Sequence, residues 1–161
     1  MRMLVAIDES ENAQRIVLYV GSLLCRTPDV AVTLFHVLNP MPRALLEHGG
    51  SENPTTEAQL GAQLRDDQDA WVRKERESEC YVLKQARETL MQSGFDANQV
   101  ALKFGYEDDI AGNILEEARS GGYETIVVGR HGISGIKRIF GGGITEQLLR
   151  DAKGFAVWVI E

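Results

Sequence analysis

The sequence predicts an α/β fold: one doubly wound, mainly parallel sheet of five strands with helices on both faces. Three observations carry this. Short apolar runs without polar alternation recur along the chain, as in strands buried on both faces. Segments with apolar residues at three- and four-residue spacing lie between them. Each strand is followed by such a helix, so the strands pair in parallel through right-handed crossovers. At 161 residues the chain has the size of one domain, at roughly 150 residues per domain.

The elements follow in order. Met3-Leu4-Val5-Ala6-Ile7 is the first strand, and it stops at Asp8. Ser10 is placed to cap a helix carrying Ala13, Ile16, Val17, Val20 and Leu24. Ala31–Val37, rich in β-branched and aromatic residues, is the second strand, and Asn39-Pro40-Met41-Pro42 ends it. Residues 40–65 contain three of the four prolines and Gly49-Gly50, and read as a long loop or insertion. A charged helix runs from about Asp66 to Gln92 with an incomplete apolar stripe (Trp71, Val72, Val82, Leu83, Ala86, Leu90), and Gly94 stops it. Its Arg, Lys and Glu alternation reads as a solvated face, or as contact with a partner helix.

Val100–Phe104 is the third strand. Asp108 or Asp109 caps a helix with Ile110, Ala111, Ile114, Leu115 and Ala118, which Gly121-Gly122 ends. Thr125–Val128 is a fourth, central strand. After a glycine-rich loop, a last helix carries Ile144, Leu148, Leu149 and Ala152, and Phe155–Ile160 is the final strand. Phe155 and Trp158 make that strand an apolar edge that a symmetric partner strand or the chain's own helices must cover.

Composition narrows the function. The net charge of -7 repels a phosphate backbone, which argues against nucleic-acid binding. No apolar run approaches the roughly 18–20 residues of a membrane span, and the N-terminus lacks the pattern of a signal peptide. Cys25 and Cys80 are too few for a disulfide framework, and buried reduced thiols imply a cytoplasmic protein. His36, His48 and His131 share no metal-ligand spacing. Ser10 and Ser22 lack a histidine–acid partner in any motif, so nothing points to a nucleophilic triad.

The loop from Gly129 to Gly143 holds six of the sixteen glycines. Glycine there permits tight nests of N–H groups and close approach of a ligand to the main chain. The last of them open a helix, whose N-terminus favours an anion such as phosphate. A surface loop whose glycines merely turn the chain is the plainer reading. Walker A is absent, and the dinucleotide fingerprint belongs after the first strand, not the fourth. Asp8 and Gly129 both sit at carboxyl ends of strands, where ligands of such sheets bind. His131 can donate to a phosphate or face solvent. Lys137 and Arg138 can neutralise phosphates or mark a solvated loop tip.

The loop resembles the signature of the universal stress protein family, Gly-x2-Gly-x9-Gly-Ser/Thr. Here it reads Gly129, Gly132 and Gly142, with Gly143 in the hydroxyl position. The segments LVAIDES, LFHV, TIVVG and ITEQLLRDA fall in the family's order. The resemblance implies strand order 3-2-1-4-5, a homodimer through the C-terminal strand, and binding of ATP or another adenine nucleotide with Mg2+. It places Ala6 and Asp8 at the end of strand one, Asp8 near adenine and ribose. It also places Val37 against adenine, and Val128 and Gly129 beneath base and ribose. Gly132 falls at the first phosphate turn, and Gly142, Gly143, Ile144 and Thr145 in the segment that holds the outer phosphates. Gly143 keeps its backbone N–H but removes one hydroxyl donor. The function expected is a nucleotide-binding stress-response or sensor protein with little or no catalysis. The alternatives are an interaction module of the same fold that binds no nucleotide, and a nucleotide hydrolase assisted by Asp8.

Overall fold

The computed structural model describes residues 1–37, 41–46, 53–105, 109–130 and 143–161. Five strands, β1 (Arg2–Ala6), β2 (Ala31–Val37), β3 (Val100–Gly105), β4 (Thr125–Gly129) and β5 (Ala156–Ile160), form one parallel sheet in the order β3-β2-β1-β4-β5. This is the order that the resemblance implies. Four α-helices alternate with the strands: α1 (Glu11–Leu24), α2 (Pro54–Gln92), α3 (Ile110–Ser120) and α4 (Ile144–Asp151).

The period of two along β1 divides the core. Met3, Val5 and Ile7 pack with residues of α1 and α2, whereas Leu4 and Ala6 pack with residues of α3 and α4. The same division runs along β2, with Val32 and Leu34 on the first face and Phe35 and Val37 on the second. Burial on both faces is why these strands read as unbroken apolar runs. Asp109 caps α3, its Oδ1 accepting from the N–H of Gly112 at 3.0 Å. β5 is an edge strand: Trp158 packs against the first face, Val157 against the second, and Val159 is 40% exposed.

The region read as a loop over 40–65 is corrected in its second half. α2 begins at Pro54, not near Asp66, and is 39 residues long, about 58 Å at 1.5 Å per residue. The physical reason is a start signal, not a break. Asn53 accepts from the N–H of Thr55 at 3.0 Å, and Pro54 stands in the first turn, where its fixed φ suits a helix and its missing N–H costs nothing. Residues 41–46 hold a short 3-10 turn, Arg43–Leu45. Only the C-terminal part of α2 reaches the sheet, through Leu83, Ala86 and Leu90. Its N-terminal part is mostly exposed and is tied to the 3-10 turn by Gln68 Nε2, which donates to the Leu45 carbonyl at 2.6 Å.

Candidate functional site

The two central strands part at their carboxyl ends. The β1–β4 ladder ends at Val5↔Val127. β1 continues with β2 to Ala6↔Phe35, and the Ile7 N–H still donates to the Phe35 carbonyl at 2.9 Å. β4 continues with β5 to Gly129↔Ile160, followed by Arg130 N–H to the Ile160 carbonyl at 2.9 Å. The carboxyl ends of β1 and β4 are therefore not paired with each other beyond Val5 and Val127, where the strand order reverses and sheets of this kind carry their ligand crevice.

Several of the expected residues meet there. Ala6, Val37, Val128 and Ile144 belong to one apolar cluster on the α3–α4 face. Asp8 is half-buried just beyond β1. Its carboxylate accepts from the Ser10 N–H at 3.0 Å and also from the Ser10 hydroxyl. Ser10 does occupy the N-cap position of α1, but its hydroxyl turns back to Asp8 instead of capping the helix. Thr145, in the first turn of α4, donates its hydroxyl to the Gly129 carbonyl at 2.8 Å. Gly143 is the N-cap of α4, exposed and extended (φ -60°, ψ 169°). A Cβ built on it meets no described residue within 4 Å. By helix geometry the first-turn N–H groups of α4 point out of its N-terminus. His131, Gly132 and Gly142 lie outside the described residues, as do Lys137 and Arg138.

Two further residues shape the crevice, and sequence reasoning did not assign them to it. A Cβ on Gly129 would stand 2.6 Å from Asn12 Nδ2, so glycine here lets the Asn12 amide lie against the end of β4. Asn12 lies in the first turn of α1, four residues after Asp8 in the chain. His36, a polar residue in an apolar strand, is 5% exposed and bonds the Ile7 carbonyl through Nδ1 at 2.6 Å.

Charge and space discriminate between the nearby hollows. The cleft on the α1–α2 side of the Asp8 turn, lined among others by Gln14, Val82 and Gln85, measures about 50 Å³, below the ~300 Å³ at which ligand pockets begin. A larger hollow between β3 and α3, about 350 Å³, is lined by Glu116 and Glu117, carboxylates that repel phosphate. At the crevice itself Arg130 is paired with Glu161 at 3.0 Å. Among the described residues no group of three or more His, Cys, Asp or Glu is placed to hold a metal ion. No helix of the described residues is long and apolar enough to cross a membrane.

The universal stress protein family model matches residues 1–160. The chain belongs to the universal stress protein family. Comparison with curated sequences finds no match. Solved structures similar to this universal stress protein include UspA from Lactobacillus plantarum (18% identity, TM-score 0.65, covering 100% of this chain and 97% of that one). A second is a universal stress protein family protein from Arabidopsis thaliana with AMP bound (15%, TM-score 0.62, 99% and 90%). A third is the universal stress protein from Archaeoglobus fulgidus in complex with dAMP (17%, TM-score 0.59, 100% and 98%). At these identities the likeness establishes the fold. In this universal stress protein the parted ends of β1 and β4, with Asp8 and Asn12 on one side and Gly129, Gly143 and Thr145 on the other, form the candidate site.

Proposed function

We propose that this universal stress protein binds an adenine nucleotide, ATP or a relative, in the crevice between β1 and β4. Ala6, Val37 and Val128 supply an apolar wall for the base. Asp8 accepts from a ribose hydroxyl or the adenine amine, since an ionised carboxylate only accepts. Val128 and Gly129 lie beneath base and ribose, Gly132 serves the first phosphate and His131 donates to a phosphate. Gly142, Gly143, Ile144 and Thr145 present the opening of α4 to the outer phosphates, where N–H groups and the helix dipole favour negative charge. Mg2+ then binds through the phosphates and water, as a hard cation does without a dedicated protein cage. The observation that carries this reading is the parting of β1 from β4 beside the N-terminus of α4. The AMP and dAMP held by two relatives of the same fold support it.

The chain acts as a homodimer through β5, whose apolar edge a second copy covers, and serves as a cytoplasmic sensor or stress-response factor. The nucleotide works as a conformational ligand with little or no hydrolysis, since no residue of the sequence stands out as a general base or in-line activator. Mass spectrometry of freshly purified, denatured protein tests the ligand. Co-purified ATP, ADP or AMP is the expected result. No nucleotide, together with no thermal shift at millimolar ATP and magnesium, refutes it.

Gly143 favours a second reading, an interaction module that binds no nucleotide. Its missing hydroxyl removes a charge-assisted bond worth about 1.5–3 kcal/mol, roughly tenfold or more in affinity. The same mass spectrum and thermal shift separate the two readings.

A further inference from the structure

A buried imidazole in an apolar strand calls for a reason. His36 continues the face of β2 that carries Val32 and Leu34, opposite Phe35 and Val37. Its Nδ1 lies 2.6 Å from the Ile7 carbonyl oxygen. A carbonyl only accepts, so Nδ1 carries the proton. The Ile7 N–H is taken by the Phe35 carbonyl at 2.9 Å, the last main-chain link between β1 and β2 among the described residues. The next acceptor along β1, the Ile7 carbonyl, is held by a side chain. The chain can then leave the strand direction at Ile7, one residue before Asp8. Asp8 in turn is fixed from the other side by Ser10, whose N–H donates to its carboxylate at 3.0 Å.

We propose that His36 is a positioning residue for the nucleotide site. By holding the Ile7 carbonyl it sets the direction in which β1 delivers Asp8 to the crevice. It acts through the main chain of Ile7, on the sheet face opposite Val37. The proposal rests on the nucleotide reading for its effect on binding, while its effect on the turn stands apart from any ligand.

Three variants test it. His36→Asn places an amide N–H where Nδ1 stands, His36→Gln places one nearer the other ring nitrogen, and His36→Leu offers none. Hydrogen exchange of the segment spanning residues 7–10 is measured without ligand, and ATP is titrated calorimetrically into each folded variant. His36→Leu and His36→Gln are expected to speed exchange in that segment and to weaken ATP binding roughly tenfold or more, the effect of a lost buried hydrogen bond. His36→Asn is expected to restore both to within about threefold of the wild-type value. A purely structural role would lower thermal stability in all three without this Asn-against-Gln split. If His36→Leu does not fold, the Asn and Gln pair decides. Equal exchange in Asn and Gln variants overturns the proposal. If wild-type protein binds no ATP, the nucleotide reading fails, and the exchange data alone decide whether His36 sets the turn.

Discussion

The Thr145 hydroxyl donates to the Gly129 carbonyl at 2.8 Å and so pins the first turn of α4 to the last residue of β4. The bond fixes where the free N–H groups of α4 point relative to the crevice. It also commits a hydroxyl that the family resemblance assigns to phosphate.

Removing that hydroxyl separates the two roles. Thr145→Val is expected to lower stability by about 1 kcal/mol, the net value of a typical hydrogen bond. For a chain of this size that is roughly 2–4 °C in Tm. Thr145→Ser is expected to recover most of the loss. Thermal melts of the three proteins check this, and an unchanged Tm in the valine variant would show that the bond carries no stability.

Gly143→Ser restores the hydroxyl of the family signature. A Cβ there meets no described residue within 4 Å and the backbone is extended. ATP affinity is expected to rise by roughly tenfold, and the helix to gain a few tenths of a kcal/mol from a better cap. Calorimetric titration reads the first effect. A variant that binds no tighter than wild type would mean that residue 143 does not face the phosphates.

Strand pattern and site differ in how legible they are. β1 and β4 are buried on both faces, so their apolar runs announce a parallel sheet and its carboxyl-end crevice. The N-terminal half of α2 is not legible, because its residues bury little and give no sustained apolar period. Pro54 there looks like a breaker, although Asn53 before it makes it a helix start. His36 is invisible to a search for metal spacing, since its partner is a main-chain carbonyl. Asn12 carries no signal of its own in the sequence; only the close approach of Gly129 shows it against β4. The loop expectation for residues 54–65 is the error that one capping signal corrects.

The two halves of α2 should differ sharply in stability. Leu83 is fully buried, and Leu83→Ala is expected to cost about 2–5 kcal/mol through lost burial and a cavity. Leu60 is 37% exposed, and Leu60→Ala is expected to fall within about 0.5 kcal/mol of wild type. Urea denaturation checks both. Equal losses would show that the N-terminal half of α2 is covered in solution.

A pH-dependent contribution comes from Lys103. Its ammonium donates to Glu117 at 2.6 Å, and this hydrogen bond raises its pKa above that of an ordinary lysine. Glu117 is also fixed by the Tyr123 phenol at 3.2 Å. A raised lysine pKa stabilises the fold fully below the unfolded-state value, and the gain is lost as pH rises through the folded-state value. The Lys103 side chain is 48% exposed, so screening limits the pair to about 0.2–1 kcal/mol. Lys103→Met is therefore expected to be less stable than wild type at pH 7 by that amount. The gap should close above the lysine's titration in urea melts taken along the pH series. A gap that widens with alkaline pH would contradict the assignment.

Amide chemical shifts recorded while ATP is added to nucleotide-free protein test the nucleotide site most directly. The expected perturbations centre on residues 7–12, 129–130 and 143–146, the two sides of the crevice. No perturbation at millimolar ATP, or one centred on the hollow between β3 and α3, would contradict it.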